Sequence, residues 1–289
     1  MIRQVWARCP GSCGELFQIP YQGQELLLSY AIDRYATVKI RKQTFGETGT
    51  PVMPKMAQAL QQFEQGKKLQ IAHMTNIPLS KGCSSSTADI LAVFQACSYY
   101  QGRRLSADEV TRRACRIEPT DSLAFRNWTV INPLTGQVVW ETDWQPTLGV
   151  YILEPCERVD TLEIERQTKS STYSLESAAE IFPLFQKACQ DRDVELLGHL
   201  ATLSGTLNNQ RLPKPFFKEL EILVQSFGFL GINVAHSGTV LGILLRPEQK
   251  ADLEAFEHQI MNHSIGQYYT KRYYSSIHFK GIELGEDDG

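Results

Sequence analysis

Residues 77–89 read IPLSKGCSSSTAD: a proline-pinned Gly/Ser loop that runs straight into an amphipathic helix. A loop of this kind turns successive backbone N–H groups inward. The first turn of the helix adds unpaired amides and the positive end of its dipole, so the junction suits a phosphate. Ser84, Ser85 and Ser86 add three hydroxyls, one of which could also ligate Mg²⁺, and Lys81 adds a point charge for a triphosphate. The plainer interpretation is a helix N-cap, because Ser86 and Asp89 fit the spacing of a capping box. A cap needs one serine. Three serines beside a lysine and a glycine favour a phosphate loop.

The flanks agree with a loop between a strand and a helix. Residues 69–74 read as the incoming strand. Ile90, Leu91, Val93, Phe94 and Cys97 give the outgoing helix a broad apolar face that stops near Gly102. A second helix is expected over 106–116, with Ser106 and Glu109 in capping-box positions. Further out, 5–9 and 26–41 read as strands, 46–54 as a loop and 55–66 as a helix ending near Gly66. After the polar turn RIEPTDS come a hairpin over 130–140 and a strand over 148–153. The polar, uneven stretch 156–170 marks a boundary between a first domain, 1–155, and a second, 156–289. Helices are expected over 174–191, 193–208 and 214–227, short strands over 232–236 and 240–245, a helix over 247–263 and a terminal strand over 268–284. Strands early and helices late predict an α+β fold.

Bulk properties narrow the class. The chain has 289 residues, 42% hydrophobic and 21% charged, with a net charge of −3 and a pI near 6.1. It can form a real core, and it has no basic stripe for nucleic acid. No window approaches the roughly 18 apolar residues of a membrane span, and the first residues lack a signal-peptide layout. Seven scattered cysteines, an odd number, predict a reducing, cytoplasmic setting without a disulfide framework. Cys9 and Cys13 are separated by three residues but have no second close pair, so buried thiols are expected there rather than a metal.

Three separated segments place small residues at strand or helix ends: Cys9–Glu15, the loop above, and Val234–Gly242. Gly11, Gly14, Gly82, Gly238 and Gly242 would permit close backbone approach to a ligand. The order PGxxGE, PxxxGxSSS(T/A)A and SGxxxG resembles the GHMP kinases, a family that contains galactokinase, homoserine kinase and mevalonate kinase. The GxxxxGK[ST] P-loop and the HRD and DFG motifs of protein kinases are missing. The strings SCGEL, SYAIDRYATV, IPLSKGCSSSTADI, IEPTDS, LPKP and NVAHSGTVLG look like the L-threonine kinase branch, which makes O-phospho-L-threonine for cobalamin biosynthesis.

The resemblance implies a two-lobed α+β fold: an N-terminal lobe with a left-handed β-α-β unit and a C-terminal ferredoxin-like lobe. It implies ATP and Mg²⁺ as reaction partners and L-threonine as acceptor. Pro78, Lys81, Gly82, Cys83, Ser84, Ser85, Ser86 and Thr87 would hold the nucleotide, with Ser237 and Gly238 beside them. Ser86 and Glu118 would ligate the metal. Asp121 falls where several members place an aspartate that accepts the substrate's hydroxyl proton. Homoserine kinases work without one, so a base, an orienting group and a helix-cap residue all stay open for Asp121. Ser12, Glu15, Asp33 and His236 are candidates for the acceptor pocket, with a strand-end ion pair as the alternative for Glu15 and Asp33 and a turn histidine for His236. Mevalonate kinases carry a lysine directly after Pro-Gly. Here that position is Ser12, which leaves Lys81 to supply the charge at the terminal phosphate, unless it is a solvent-facing loop lysine. The tyrosine-rich 268–279 stretch reads as strand packing, with a homodimer surface as the alternative.

Overall fold

Val5, Ala7 and Cys9 are fully buried and alternate with the partly exposed Trp6 and Arg8, the period-two signature of a strand with one face in the core. They belong to β1 (Gln4–Gly11), followed by β2 (Glu15–Tyr21), β3 (Gln24–Ser29) and β4 (Ala31–Lys42). The computed structural model describes residues 3–45, 51–63, 69–156 and 175–287. After β4 come α1 (Pro54–Gln61), β5 (Leu69–Thr75), α2 (Ser85–Tyr100), α3 (Ala107–Ala114), β6 (Trp128–Ile131), β7 (Val138–Thr142) and β8 (Gly149–Glu154). The second half adds α4 (Leu175–Asp191), α5 (Val194–Arg211), α6 (Phe217–Ser226), β9 (Gly231–Val234), β10 (Leu241–Leu245), α7 (Leu253–Met261), α8 (Ser264–Tyr268), β11 (Lys271–His278) and β12 (Glu283–Asp287).

The strands form one sheet of 12 in the order β12-β1-β4-β11-β8-β10-β9-β2-β3-β6-β7, with β5 added on β4. Every pairing among the described residues is antiparallel. The fold is therefore α+β. Pro155 and Cys156, where the expected division falls, lie directly after β8, and the expected boundary stretch beyond them is outside the described residues. Strands from the later half return to the earlier one: β11 pairs with β4 at Ile277↔Ile32, and β12 pairs with β1 from Gln4↔Asp287 to Arg8↔Glu283.

Several expectations need correction. The strand expected over 26–41 breaks at Tyr30, where the chain leaves β2 and β6 for β1 and β5. Tyr30 is buried at the break, and its hydroxyl donates to Cys13 O at 3.1 Å or Asn233 Oδ1 at 2.7 Å. The helix expected over 247–263 starts as a 3-10 turn (Pro247–Asp252) before α7. The terminal strand is two strands, separated by a turn in which Gly281 has φ +61°. The helix expected over 55–66 ends at Gln61, and Gly66 itself lies outside the described residues, as does most of the expected 46–54 loop.

The helix after the phosphate loop is not amphipathic. Every residue of α2 from Thr87 to Ser98 is buried. It packs on β1 and β4 on one side and on α1 and α3 on the other, which leaves no solvent face. Its two large polar side chains are satisfied internally. Asp89 meets His73 Nε2 at 2.7 Å, which raises the histidine pKa. Gln95 receives the Leu105 N–H at 3.1 Å and donates to Leu105 O at 2.8 Å. Among the described residues all seven cysteines are free, and Cys9 and Cys13 are buried with thiol pKa values pushed well up by that burial. No helix is long and apolar enough to cross a membrane.

Candidate active site

The first and third glycine-bearing segments converge on three successive residues of the loop, Lys81, Gly82 and Cys83. From the first segment, Ser12 N–H donates to Cys83 O at 3.1 Å and Gly14 N–H to Gly82 O at 3.2 Å. From the third, the N–H groups of Thr239 and Val240 both donate to Lys81 O, at 2.9 and 3.1 Å. Three successive loop carbonyls are thus held from outside by two other loops. The glycines serve this contact. A Cβ on Gly82 (φ +83°) would meet Ala235 Cβ, and one on Gly238 would lie 2.3 Å from Lys81 O. At these two positions the missing side chain lets the loop and the third segment touch.

With its carbonyls engaged, the loop leads into α2 through Ser84, which has φ +56° and makes no side-chain cap bond. The capping-box interpretation of Ser86 and Asp89 therefore fails. Ser84 is the N-cap residue, Asp89 points to His73, and the first-turn amides of α2 have no side-chain cap. A left-handed serine costs about 1–2 kcal/mol and persists only where its surroundings hold it. Ser84 Oγ is held by Ser12 Oγ at 2.5 Å.

Asp121 lies at the same helix end. Its Oδ1 accepts Ser29 Oγ at 2.9 Å and its Oδ2 accepts Thr87 Oγ1 at 3.0 Å. Burial, and then the charge of Glu15, raises its pKa to about 6 against the opposing hydroxyls of Ser29, Ser84 and Thr87. The turn that carries it is clamped to β3: Ser29 N–H donates to Ser122 Oγ at 3.0 Å. Three residues earlier, Glu118 Oε2 forms an ion pair with Lys55 of α1, while its Oε1 is buried without a partner. An orphaned carboxylate oxygen fits a cation ligand, and Ser86, partly exposed in the first turn of α2, supplies a hydroxyl one residue before Thr87.

On the other side of Ser12, Glu15 and His236 are buried together. Glu15 Oε2 accepts His236 N–H at 2.9 Å and lies 3.1 Å from His236 Nδ1. Nε2 of the ring is 3.0 Å from Ser204 Oγ, and His236 O accepts Asn208 Nδ2 and Arg211 Nη2. Neither residue is a surface group. Lys214 is buried beside them, and its pKa falls to about 7 through burial.

The GHMP kinases N terminal domain model matches residues 52–125, which span Lys55, the loop, Glu118 and Asp121. The L-threonine kinase of Citrobacter freundii is 30% identical over 285 residues, covering 96% of this chain and 99% of that protein. The chain belongs to the GHMP kinase family. A second L-threonine kinase, from Salmonella typhimurium, is 28% identical over 96% of this chain and 95% of its own length. The solved mevalonate diphosphate decarboxylase of Enterococcus faecalis superposes with a TM-score of 0.71 at 15% identity, over 99% of this chain and all of that one. The GHMP fold is thus shared across members of low identity.

Within this GHMP kinase, Asp33 and the Lys81 side chain make contacts of their own. Asp33 projects from the outer face of β4, about half exposed, 3.8 Å from His278 Nε2 and 4.0 Å from Lys280 Nζ. Alternation along β4 puts Ala36, Val38 and Ile40 toward α2 and sends Asp33 the other way. Lys81 is buried, and its ammonium donates to Pro155 O at 2.5 Å instead of facing solvent. The tyrosines of β11 are strand packing, with Arg34 over the Tyr273 ring and Lys250 over that of Tyr274. Sequence reasoning did not single out Ser29, Ser122 or Lys55. The break at Ser29–Tyr30 inside an apolar run was the available signal for the first. Thr239 Oγ1, beside Gly238, is buried without a partner and joins the candidates.

Proposed function

We propose that this GHMP kinase transfers the γ-phosphoryl group of ATP to the hydroxyl of L-threonine and supplies O-phospho-L-threonine to cobalamin biosynthesis. The observation that carries the reading is the placement of Asp121: a carboxyl of raised pKa, bonded to Thr87 at the head of α2 and to Ser29 at the end of β3. The two L-threonine kinases similar over nearly the full chain support threonine as the acceptor.

The first-turn amides of α2, with Ser84, Ser85 and Ser86, receive the phosphates, and the engaged carbonyls of Lys81, Gly82 and Cys83 keep those amides aimed. Ser86 and the free oxygen of Glu118 would hold Mg²⁺, which when bound neutralises charge on the β- and γ-phosphates. The acceptor lies near Ser12, Glu15 and His236. Glu15 orients its ammonium, and His236 keeps Glu15 in place through two bonds. Asp121 takes the hydroxyl proton as the threonine oxygen bonds to phosphorus and the β–γ bridging oxygen leaves on ADP. Such a group positions the nucleophile more than it drives the step. Asp33 has no part in this arrangement.

Phosphate transfer to threonine, serine and homoserine, measured side by side, tests the reading. Threonine should give the highest kcat/KM. A higher value for homoserine would make this a homoserine kinase. Nucleotide binding with no turnover on any amino acid would make it a silent nucleotide-binding protein. The margin over serine rests on one methyl group, worth about 1–3 kcal/mol.

A further inference from the structure

The cation expected at the terminal phosphate was Lys81, whose ammonium donates to Pro155 O. A second lysine is tied to Glu118, three residues before Asp121. Lys55 lies in the first turn of α1, and its side chain is 36% exposed against 16% for its partner Glu118. It is ion-paired with one carboxylate oxygen while the other is buried and unpartnered.

We infer that Lys55 is a movable counter-ion, which neutralises Glu118 in the empty site and passes to the terminal phosphates of the nucleotide when a divalent cation takes Glu118. The inference rests on the metal assignment above. One carboxylate cannot serve both cations well. A dication on Oε1 and an ammonium on Oε2 would stand a few ångströms apart and repel strongly. Among the described residues Glu118 is the one carboxylate within ion-pair distance of Lys55, and the other carboxyl of the site, Asp121, is already bonded to Ser29 and Thr87. Its own helix end is no refuge, because the N-terminus of α1 carries the positive end of the dipole. The polyphosphate that arrives with the metal is the anion left within reach of a long, partly exposed side chain. The exchange keeps Glu118 charged and pre-shaped before metal binds, and it delivers a positive charge only when the nucleotide is there to receive it.

Binding measurements on the intact protein test this without turnover. Mn²⁺ affinity is read by electron paramagnetic resonance without nucleotide, and the affinity of a methylene-bridged ATP analogue with Mg²⁺ is read by calorimetry. Lys55→Met should bind Mn²⁺ about three- to tenfold more tightly than wild type, since its competitor is gone, and should bind the Mg²⁺-analogue complex about tenfold more weakly. Lys55→Arg, which holds a carboxylate by two donors, should bind Mn²⁺ more weakly than wild type while keeping analogue affinity. Both variants staying within about twofold of wild type, with Glu118→Gln still losing Mn²⁺ affinity, would make the pair purely structural; the inference falls and the kinase assignment stands. Glu118→Gln binding Mn²⁺ like wild type would overturn the metal assignment and this inference together.

Discussion

A Cβ built on Gly82 would stand 2.3 Å from the Cβ of Ala235. The phosphate loop and the third glycine segment are therefore in contact with no room for a methyl group between them. Gly82→Ala should cost about 2–4 kcal/mol, combining a left-handed backbone with overpacking. It should also misdirect the amides that follow, and weaken nucleotide binding more than tenfold. A urea midpoint and nucleotide affinity equal to wild type would mean that the two loops separate freely.

Asp121 predicts a pH limb. Its carboxyl is raised to about 6, and only the ionised form accepts a proton, so kcat/KM should fall below about pH 6. Asp121→Asn should abolish that limb and lower kcat by about 10²-fold, with little change in nucleotide affinity. The stability sign is opposite. A carboxyl whose folded pKa is raised contributes stability below its unfolded value and loses it as pH rises through 6. The asparagine variant should thus have a higher urea midpoint than wild type at pH 8. An unchanged kcat would remove Asp121 from the reaction.

Lys81→Met should strip a buried carbonyl of its donor. Leaving Pro155 O unsatisfied costs about 1–3 kcal/mol, so the melting temperature should drop while nucleotide affinity changes less than about threefold. A large loss of affinity at constant melting temperature would restore Lys81 as a phosphate ligand.

Lys214 carries a linkage signature. Burial lowers its pKa to about 7, so the unfolded chain binds more protons than the folded one from there up to the ordinary lysine value near 10.5. Its contribution to stability therefore rises with pH across that window. The difference in urea midpoint, Lys214→Met minus wild type, should be larger at pH 6 than at pH 9. A difference independent of pH would mean that Lys214 titrates normally.

The loop-to-helix junction before α2 was readable because its information is local: a proline, a glycine and three serines before an apolar period. The family's three segments were readable for the same reason, and the α+β class followed from the order of strands and helices. What could not be read depended on partners far along the chain. Asp89 and Gln95 look like a polar face until His73 and Leu105 are placed against them. The run from Leu26 through Ile32 looks continuous until Tyr30 finds Asn233. The strand β2 was missed because it follows a Gly/Ser turn and contains Pro20. Lys81 resembled a phosphate ligand by composition, and its bond to Pro155 O could not be read from the loop alone. Asp33 was drawn into the site by its neighbours in sequence, although strand alternation turns it outward.

The placement of β11 between β4 and β8, and of β12 outside β1, has a bearing on how the sheet closes. Until β11 is in place, β4 and β8 each keep an open edge. The backbone contact that organises Lys81 likewise waits for Thr239 and Val240. The catalytic apparatus is consequently non-local: it is complete only when segments from both halves of the polypeptide have met.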